Sequence, residues 1–171
     1  GTGFADSISG GAGGDTITGG DGNDVITLGT GADTAVYINR AAEGQDTINS
    51  FTSGTDKIDL SYLGDANNAV TTFTGATTIA DNEIYFFVGN SAGDADGTTA
   101  AAASIKTEAG GGTNVDDAAN TREAYFVIAD DNSTGVFYYL NNNTDDSNIL
   151  AAELTLVATL DVVLAAGDIT A

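Results

Sequence analysis

A nine-residue period governs the first 36 residues. Set in nines, the chain reads GTGFADSIS (1–9), GGAGGDTIT (10–18), GGDGNDVIT (19–27) and LGTGADTAV (28–36). Asp6, Asp15, Asp24 and Asp33 recur at one position of the nine, and Ile8, Ile17, Ile26 and Ala35 follow each of them two residues later. Eleven of the 23 glycines fall within this stretch, so the glycine richness is local. A solvated Gly/Asp linker has no reason to hold acidic and aliphatic residues in register. The period is that of a coiled repeat, in which one unit buries its apolar residues only by stacking on the next.

Each nine divides into a six-residue turn and a three-residue strand. Glycines at Gly11, Gly13, Gly20, Gly22, Gly29 and Gly31 permit the positive-φ backbone that turns carbonyls toward a common centre. The aspartate closing each turn adds a carboxylate, and the aliphatic residue two further on points inward. Two nines make one full coil, which sets Asp6 over Asp24 and Asp15 over Asp33. Stacked carboxylates repel unless a cation lies between them. Ca²⁺ takes about 6–8 hard oxygen ligands, which paired aspartates and turn carbonyls can supply. Such short strands and small side chains cannot offset the ordering entropy of so many glycines, so ion binding must supply much of the folding free energy. A phosphate-cradling glycine loop is the rival reading, but no G-K-[ST] follows and the local charge is negative.

The phase continues past the four nines. Gly44-Gln45-Asp46-Thr47-Ile48 resumes it after a four-residue insertion, Tyr37 to Arg40, and Gly54-Thr55-Asp56-Lys57-Ile58 repeats it. Asp46 is expected over Asp24 and Asp56 over Asp33, with Asp59 a further candidate ligand. Phe4 stands where the first nine should carry glycine, so the Asp6 coil reads as an incomplete terminal one.

Charge points the same way. The net charge is −21, with 25 acidic residues against Arg40, Lys57, Lys106 and Arg122. A chain so poor in Lys and Arg is not built for phosphate backbones or anionic membrane surfaces. Asp outnumbers Glu by 20 to 5, and short, stiff Asp suits turns and hard-cation loops. The absence of Cys removes disulfides and thiolate sites. The absence of His removes the commonest general base and the usual zinc ligand. No stretch approaches the ~18 apolar residues of a membrane-spanning helix.

From about residue 61 the glycine density falls and longer strands are expected. Residues 83–88 form one, and 124–129 with 135–140 flank the turn Asp130-Asp131-Asn132-Ser133-Thr134 as a hairpin. Residues 153–160 alternate, with Leu154, Leu156, Ala158 and Leu160 on one face. The Ala-rich run 99–108 is the one expected helix. Asn142, Thr144, Asp146, Asn148 and Glu153 fall at the offsets of a calcium-binding EF-hand loop. The first of these is neutral and Ser147 replaces the usual glycine, so the plainer reading is a polar hairpin end with Glu153 solvated. The expectation is an all-β chain: a parallel β-roll over 1–60 continuing into a β-rich C-terminal cap, 61–171, with one short helix.

The nonapeptides GGAGGDTIT and GGDGNDVIT resemble those of the RTX family of calcium-binding proteins exported by bacterial type I secretion. GQDTINSFTSGTDKIDLSYL is similar to the segment that follows the repeats in such proteins. The tail EAYFVIADDNSTGVFYYL…AAELTLVATLDVVLAAGDITA resembles the C-terminal ends of large RTX surface proteins, among them S-layer proteins and adhesins. The resemblance implies Ca²⁺ held by the repeat aspartates and glycine carbonyls, an uncleaved secretion signal in the last several tens of residues, and the type I secretion machinery as partner. It implies a secreted or cell-surface protein of a Gram-negative-type bacterium. Three functions stay open: a non-enzymatic module of a surface-layer protein, the C-terminal part of an RTX protease or lipase, and a calcium-dependent self-assembling protein. With no His, neither a zinc-protease motif nor a Ser-His-Asp triad can form within the chain.

Overall fold

The computed structural model describes residues 1–38, 44–63, 70–72, 83–88, 123–130, 132–141 and 151–170. The chain is all-β, its only helical elements being 3₁₀ turns such as Ser61–Leu63, Ala151–Glu153 and Ala166–Asp168 among these residues. The expected helix at 99–108 and the positions Asn142, Thr144, Asp146 and Asn148 lie outside the described residues.

The repeats deal their strands alternately to two sheets. Strands β1 (Ser7–Ala12), β3 (Val25–Thr30) and β5 (Asp46–Asn49) enter one, and β2 (Thr16–Ile17), β4 (Thr34–Val36) and β6 (Lys57–Asp59) the other. All neighbours among them pair in parallel: Ile8 lies beside Ile26 and Ile26 beside Ile48, while Ile17 lies beside Ala35 and Ala35 beside Ile58. This register follows from side-chain alternation, since a one-residue slip would turn every isoleucine to solvent.

The first sheet does not stop at the repeats. It runs on through β11 (Leu154–Leu160), β10 (Thr134–Leu140), β9 (Glu123–Ala129), β8 (Glu83–Val88) and β7 (Val70–Thr72). It is mixed, not purely parallel, because β10 runs antiparallel to both β9 and β11. The expected hairpin between β9 and β10 is present, closed by Asp130, whose Oδ1 accepts from the Asn132 and Ser133 amides and the Ser133 hydroxyl. The second sheet gains β12 (Ile169–Thr170), parallel to β6.

One apolar core joins these parts. It holds Ile17, Ile26, Ile48 and Ile58 of the repeats together with Tyr125, Val127, Val136, Tyr138, Leu160 and Ile169. The opposite face of the C-terminal strands is buried as well, and Tyr85, Phe126 and Tyr139 run across it with ring centroids 5.5 and 5.7 Å apart. The simple alternation expected of β11 fails. Phe137 pairs with Leu156 and Val136 with Ala158, so Val157 is an extra, bulged residue. The bulge buries Val157 and Ala158 in succession and leaves Leu156 half-exposed. Glu153 is also not solvated. It is 5% exposed, drawn in where β11 begins pairing with β10.

Candidate metal centre

Two columns of aspartate run along one side of each sheet of the repeats. In the first, the Asp6 amide donates to Asp24 Oδ1 at 2.7 Å and the Asp24 amide to Asp46 Oδ1 at 2.9 Å. In the second, Asp15 donates to Asp33 Oδ1 at 2.8 Å and Asp33 to Asp56 Oδ1 at 2.9 Å. The carbonyl of each upper aspartate accepts in turn from the residue after the lower one, as from Val25 to Asp6 and from Thr47 to Asp24. The stacking expected from the period, including the two shifted aspartates Asp46 and Asp56, is present.

The Oδ1 atoms of Asp24, Asp33, Asp46 and Asp56 are therefore engaged by the scaffold, and the second oxygens of the columns differ. Asp6 Oδ2 accepts from the Thr2 amide and hydroxyl, and Asp56 Oδ2 from the Thr52 amide at 2.7 Å. Those two residues end their columns. Asp24 and Asp33, in the middle of the two columns, and Asp15, at the head of the second, keep Oδ2 buried with no hydrogen-bond partner. A buried carboxylate oxygen without a proton or a cation is costly, because its hydration has been removed and nothing replaces it.

Glycine backbone packs closely against two of these oxygens. A Cβ at Gly10 would fall 2.9 Å from Asp15 Oδ2 and 2.5 Å from the Leu28 carbonyl oxygen. A Cβ at Gly19 would fall 2.4 Å from Asp24 Oδ2 and 3.3 Å from Asp46 Oδ2. Glycine in the first slot of the nine is thus what lets the backbone lie against the carboxylate, where a Cβ would collide with it. In the fourth nine that slot holds Leu28, which is fully buried in the core. Gly11 and Gly29 lie in β1 and β3, and Gly13, Gly20, Gly22 and Gly31 in the turns. All six adopt the positive φ expected of them, whereas Thr2 and Phe4, in the matching slots of the first nine, do not. The first coil is accordingly a terminal one, with Phe4 79% exposed.

Asp59 stands apart from both columns: it lies in β6 and its Oδ1 accepts from the Ser61 amide. Among the described residues no three acidic side chains converge on one point, so the columns offer carboxylates in pairs. The electrostatics match that picture. Burial pushes the Asp46 carboxyl up to about 6; the Asp24 amide opposes the rise, the Asp24 charge adds to it, and the Tyr37 hydroxyl lowers it. At the exposed end, hydrogen bonds from the Thr2 amide and hydroxyl hold Asp6 below the usual carboxylate range.

A hard divalent cation fits this donor set. The orphaned oxygens are carboxylate, the neighbouring groups are backbone carbonyls, and nitrogen and sulfur ligands are absent from the sequence's side chains of choice, His and Cys. Sequence reasoning missed four contributors: Gly10 and Gly19, whose missing Cβ lets the backbone lie against the carboxylates, and Thr2 and Thr52, which bond Asp6 and Asp56. The T-x-x-x-D spacing of Thr2–Asp6 and Thr52–Asp56 was the available signal.

A family model described as the Peptidase M10 serralysin C terminal matches residues 5–98. That region is the RTX-type, calcium-binding part of type I secreted proteins. No curated protein matches the chain.

Proposed function

This chain belongs to the serralysin C-terminal family, a secreted RTX-type module, and from that premise we propose that it is a calcium-folded, non-catalytic module of an exported protein. The observation that carries the reading is the set of buried, partnerless Oδ2 atoms of Asp15, Asp24 and Asp33 within two stacked carboxylate columns. Asp15, Asp24, Asp33, Asp46 and the carbonyls of the glycine turns would hold Ca²⁺, which neutralises the column and links successive coils into a parallel β-roll. Asp6 and Asp56, whose second oxygens are already bonded within their own turns, are the weaker ligands.

The module does no chemistry on a substrate. Its residues convert an ion concentration into a fold: unpaired, the columns repel and the short strands cannot hold; paired through an ion, they close the core over Ile17, Ile26, Ile48 and Ile58. Calcium-poor cytosol keeps such a chain unfolded and fit for passage through a type I transporter, and the millimolar calcium outside the cell matches the weak affinities of extracellular modules. The C-terminal end would carry the uncleaved export signal.

The resemblance of the tail to RTX surface proteins favours a surface-layer or matrix parent over a hydrolase. An H-E-x-x-H motif encoded upstream in the same gene would transfer the module to a peptidase instead.

Calcium titration of the chain against EGTA, followed by circular dichroism and calorimetry, tests the central reading. A cooperative gain of β-structure with bound Ca²⁺, not reproduced by equal Mg²⁺, is expected. A β-signal and heat profile indifferent to chelation would refute it.

A further inference from the structure

The last coil of the repeat stack is built from the far end of the chain. Ala158, Thr159 and Leu160 of β11 lie parallel to Asp46, Thr47 and Ile48 of β5. Ile169 and Thr170 of β12 lie parallel to Ile58 and Asp59 of β6, and the Leu60 amide donates to the Thr170 carbonyl at 2.9 Å. Leu160 and Ile169 are nine residues apart, the spacing of Ile17 and Ile26. They extend the two inward columns: Ile8, Ile26, Ile48, Leu160 and Ile17, Ala35, Ile58, Ile169. Residues 154–170 are thus one more coil, contributed from a segment about a hundred residues away in sequence.

This coil has the apolar half of the repeat and lacks the acidic half. Ala158 stands beside Asp46, where the first column would carry its next aspartate. Gly167 occupies the corresponding place two residues before Ile169. The coil between them, Asp161 to Ala166, has no glycine turn.

What locks it is Asp168, 1% exposed. Its Oδ2 accepts from the Ser53 hydroxyl at 2.6 Å and the Ala165 amide at 2.9 Å, and its Oδ1 from the Gly54 amide at 2.7 Å. Lys57 Nζ stands 4.0 Å from Oδ1 and donates to the Gly167 carbonyl. Burial disfavours the Asp168 anion, yet these bonds and the lysine outweigh it and hold the carboxyl below its usual range. The turn that Asp168 grips, Ser53–Gly54, is the one Asp56 closes from the other side through the Thr52 amide. One turn therefore joins the end of a carboxylate column to the C-terminal coil.

We propose that residues 154–170 form a metal-controlled latch: the coil docks on β5 and β6 when the columns are filled and is released when they are empty, with Asp168 as the positioning residue. This rests on the calcium reading above. The edges of β5 and β6 that receive the latch exist only while Asp46 and Asp56 are tied to the coil before them. Docking in turn covers the apolar end of the stack, so latch and ladder favour one another. A C-terminal segment that is free in the calcium-poor chain and buried in the calcium-bound one is withdrawn from any export partner once folding is complete.

Hydrogen exchange on the full 171-residue chain, read across a Ca²⁺ titration, tests this. The amides of Ala165, Ile169 and Thr170 are expected to gain protection at the same calcium midpoint as those of Asp24, Asp33 and Thr47. Latch amides protected in EGTA, or unprotected in saturating Ca²⁺ while the ladder is protected, overturn the latch alone. Ladder amides indifferent to Ca²⁺ overturn the metal reading and the latch with it. In Asp168→Asn the midpoint at the ladder amides should rise about tenfold, about 1.4 kcal/mol for one linked ion, with full protection regained at high Ca²⁺. A merely structural role would instead lower protection at every calcium concentration. An unchanged midpoint removes Asp168 from the coupling, and should the variant not fold at all, the wild-type exchange profile decides.

Discussion

The backbone amide of Asp33 donates to Asp56 Oδ1 at 2.9 Å, while Asp33 keeps its own Oδ2 buried and without a hydrogen-bond partner. The same residue is a scaffold donor through its amide, a scaffold acceptor through Oδ1, toward Asp15, and an unpaired charge through Oδ2. Those three roles can be separated by substitution.

Asp33→Asn keeps an Oδ1 acceptor for the Asp15 amide and removes the charge. The calcium midpoint, followed by circular dichroism, is expected to rise on the order of tenfold as one carboxylate ligand is lost. The calcium-free β-signal should hold or increase, since a buried unpaired charge has gone. A loss of structure in both conditions would mean that the carboxylate is a scaffold element only.

The glycines of the turns are not equivalent. Gly31 has φ +139°, and a Cβ there would lie 1.8 Å from the Gly13 carbonyl oxygen. Gly31→Ala combines backbone strain of about 1–2 kcal/mol with overpacking of ~1–3 kcal/mol. It should depress the unfolding midpoint even in saturating Ca²⁺. Gly54 has φ +82° with no atom within 4 Å of a built Cβ, so Gly54→Ala should cost the strain alone. Urea denaturation of both variants in calcium compares them.

Leu28 departs from the repeat consensus, yet Leu28→Gly should harm the protein. Its side chain is fully buried in the core shared by repeats and C-terminal strands. Removing it is expected to cost about 2–5 kcal/mol. Denaturant unfolding in saturating Ca²⁺ measures the loss, and a variant as stable as wild type would show that repeat consensus outweighs packing at this site.

Proton and calcium should compete at Asp46. Its folded carboxyl titrates at about 6, raised first by burial, against about 3.9 for an unfolded aspartate. An acid raised in the folded state binds its proton more tightly there, so the calcium-free fold gains stability as pH falls from above 6 toward 4 and gains no more below that. Calcium needs the ionised form, so its midpoint should move to higher concentration as pH falls through about 6. Titrations at pH 7.5, 6 and 5 would show both slopes with opposite sign.

The repeats were legible because everything they do is local or periodic. A nine-residue spacing of Asp15, Asp24 and Asp33 states which residues stack, and glycine at Gly11, Gly13, Gly20, Gly22, Gly29 and Gly31 states where φ must be positive. The shifted pair Asp46 and Asp56 was legible too, since the G-x-D-x-U tail survives the insertion. The aromatic strands and the 124–140 hairpin followed from composition and turn residues. Less visible were the bulge at Val157 and the burial of Glu153, both consequences of how β11 must fit between β10 and β5.

The nine-residue spacing by itself determined that two carboxylate columns and two aliphatic columns would form, because side-chain direction alternates along each strand and repeats along each coil. Only the tertiary structure decided where those columns end. Thr2 and Thr52 close Asp6 and Asp56 through five-residue turns, leaving the orphaned oxygens on Asp15, Asp24 and Asp33. Leu160 and Ile169 complete the apolar columns from the opposite end of the chain. Nothing local announces that pairing: a strand edge accepts any segment with matching register and an apolar inward face, and which segment arrives is settled by the packing of the whole core.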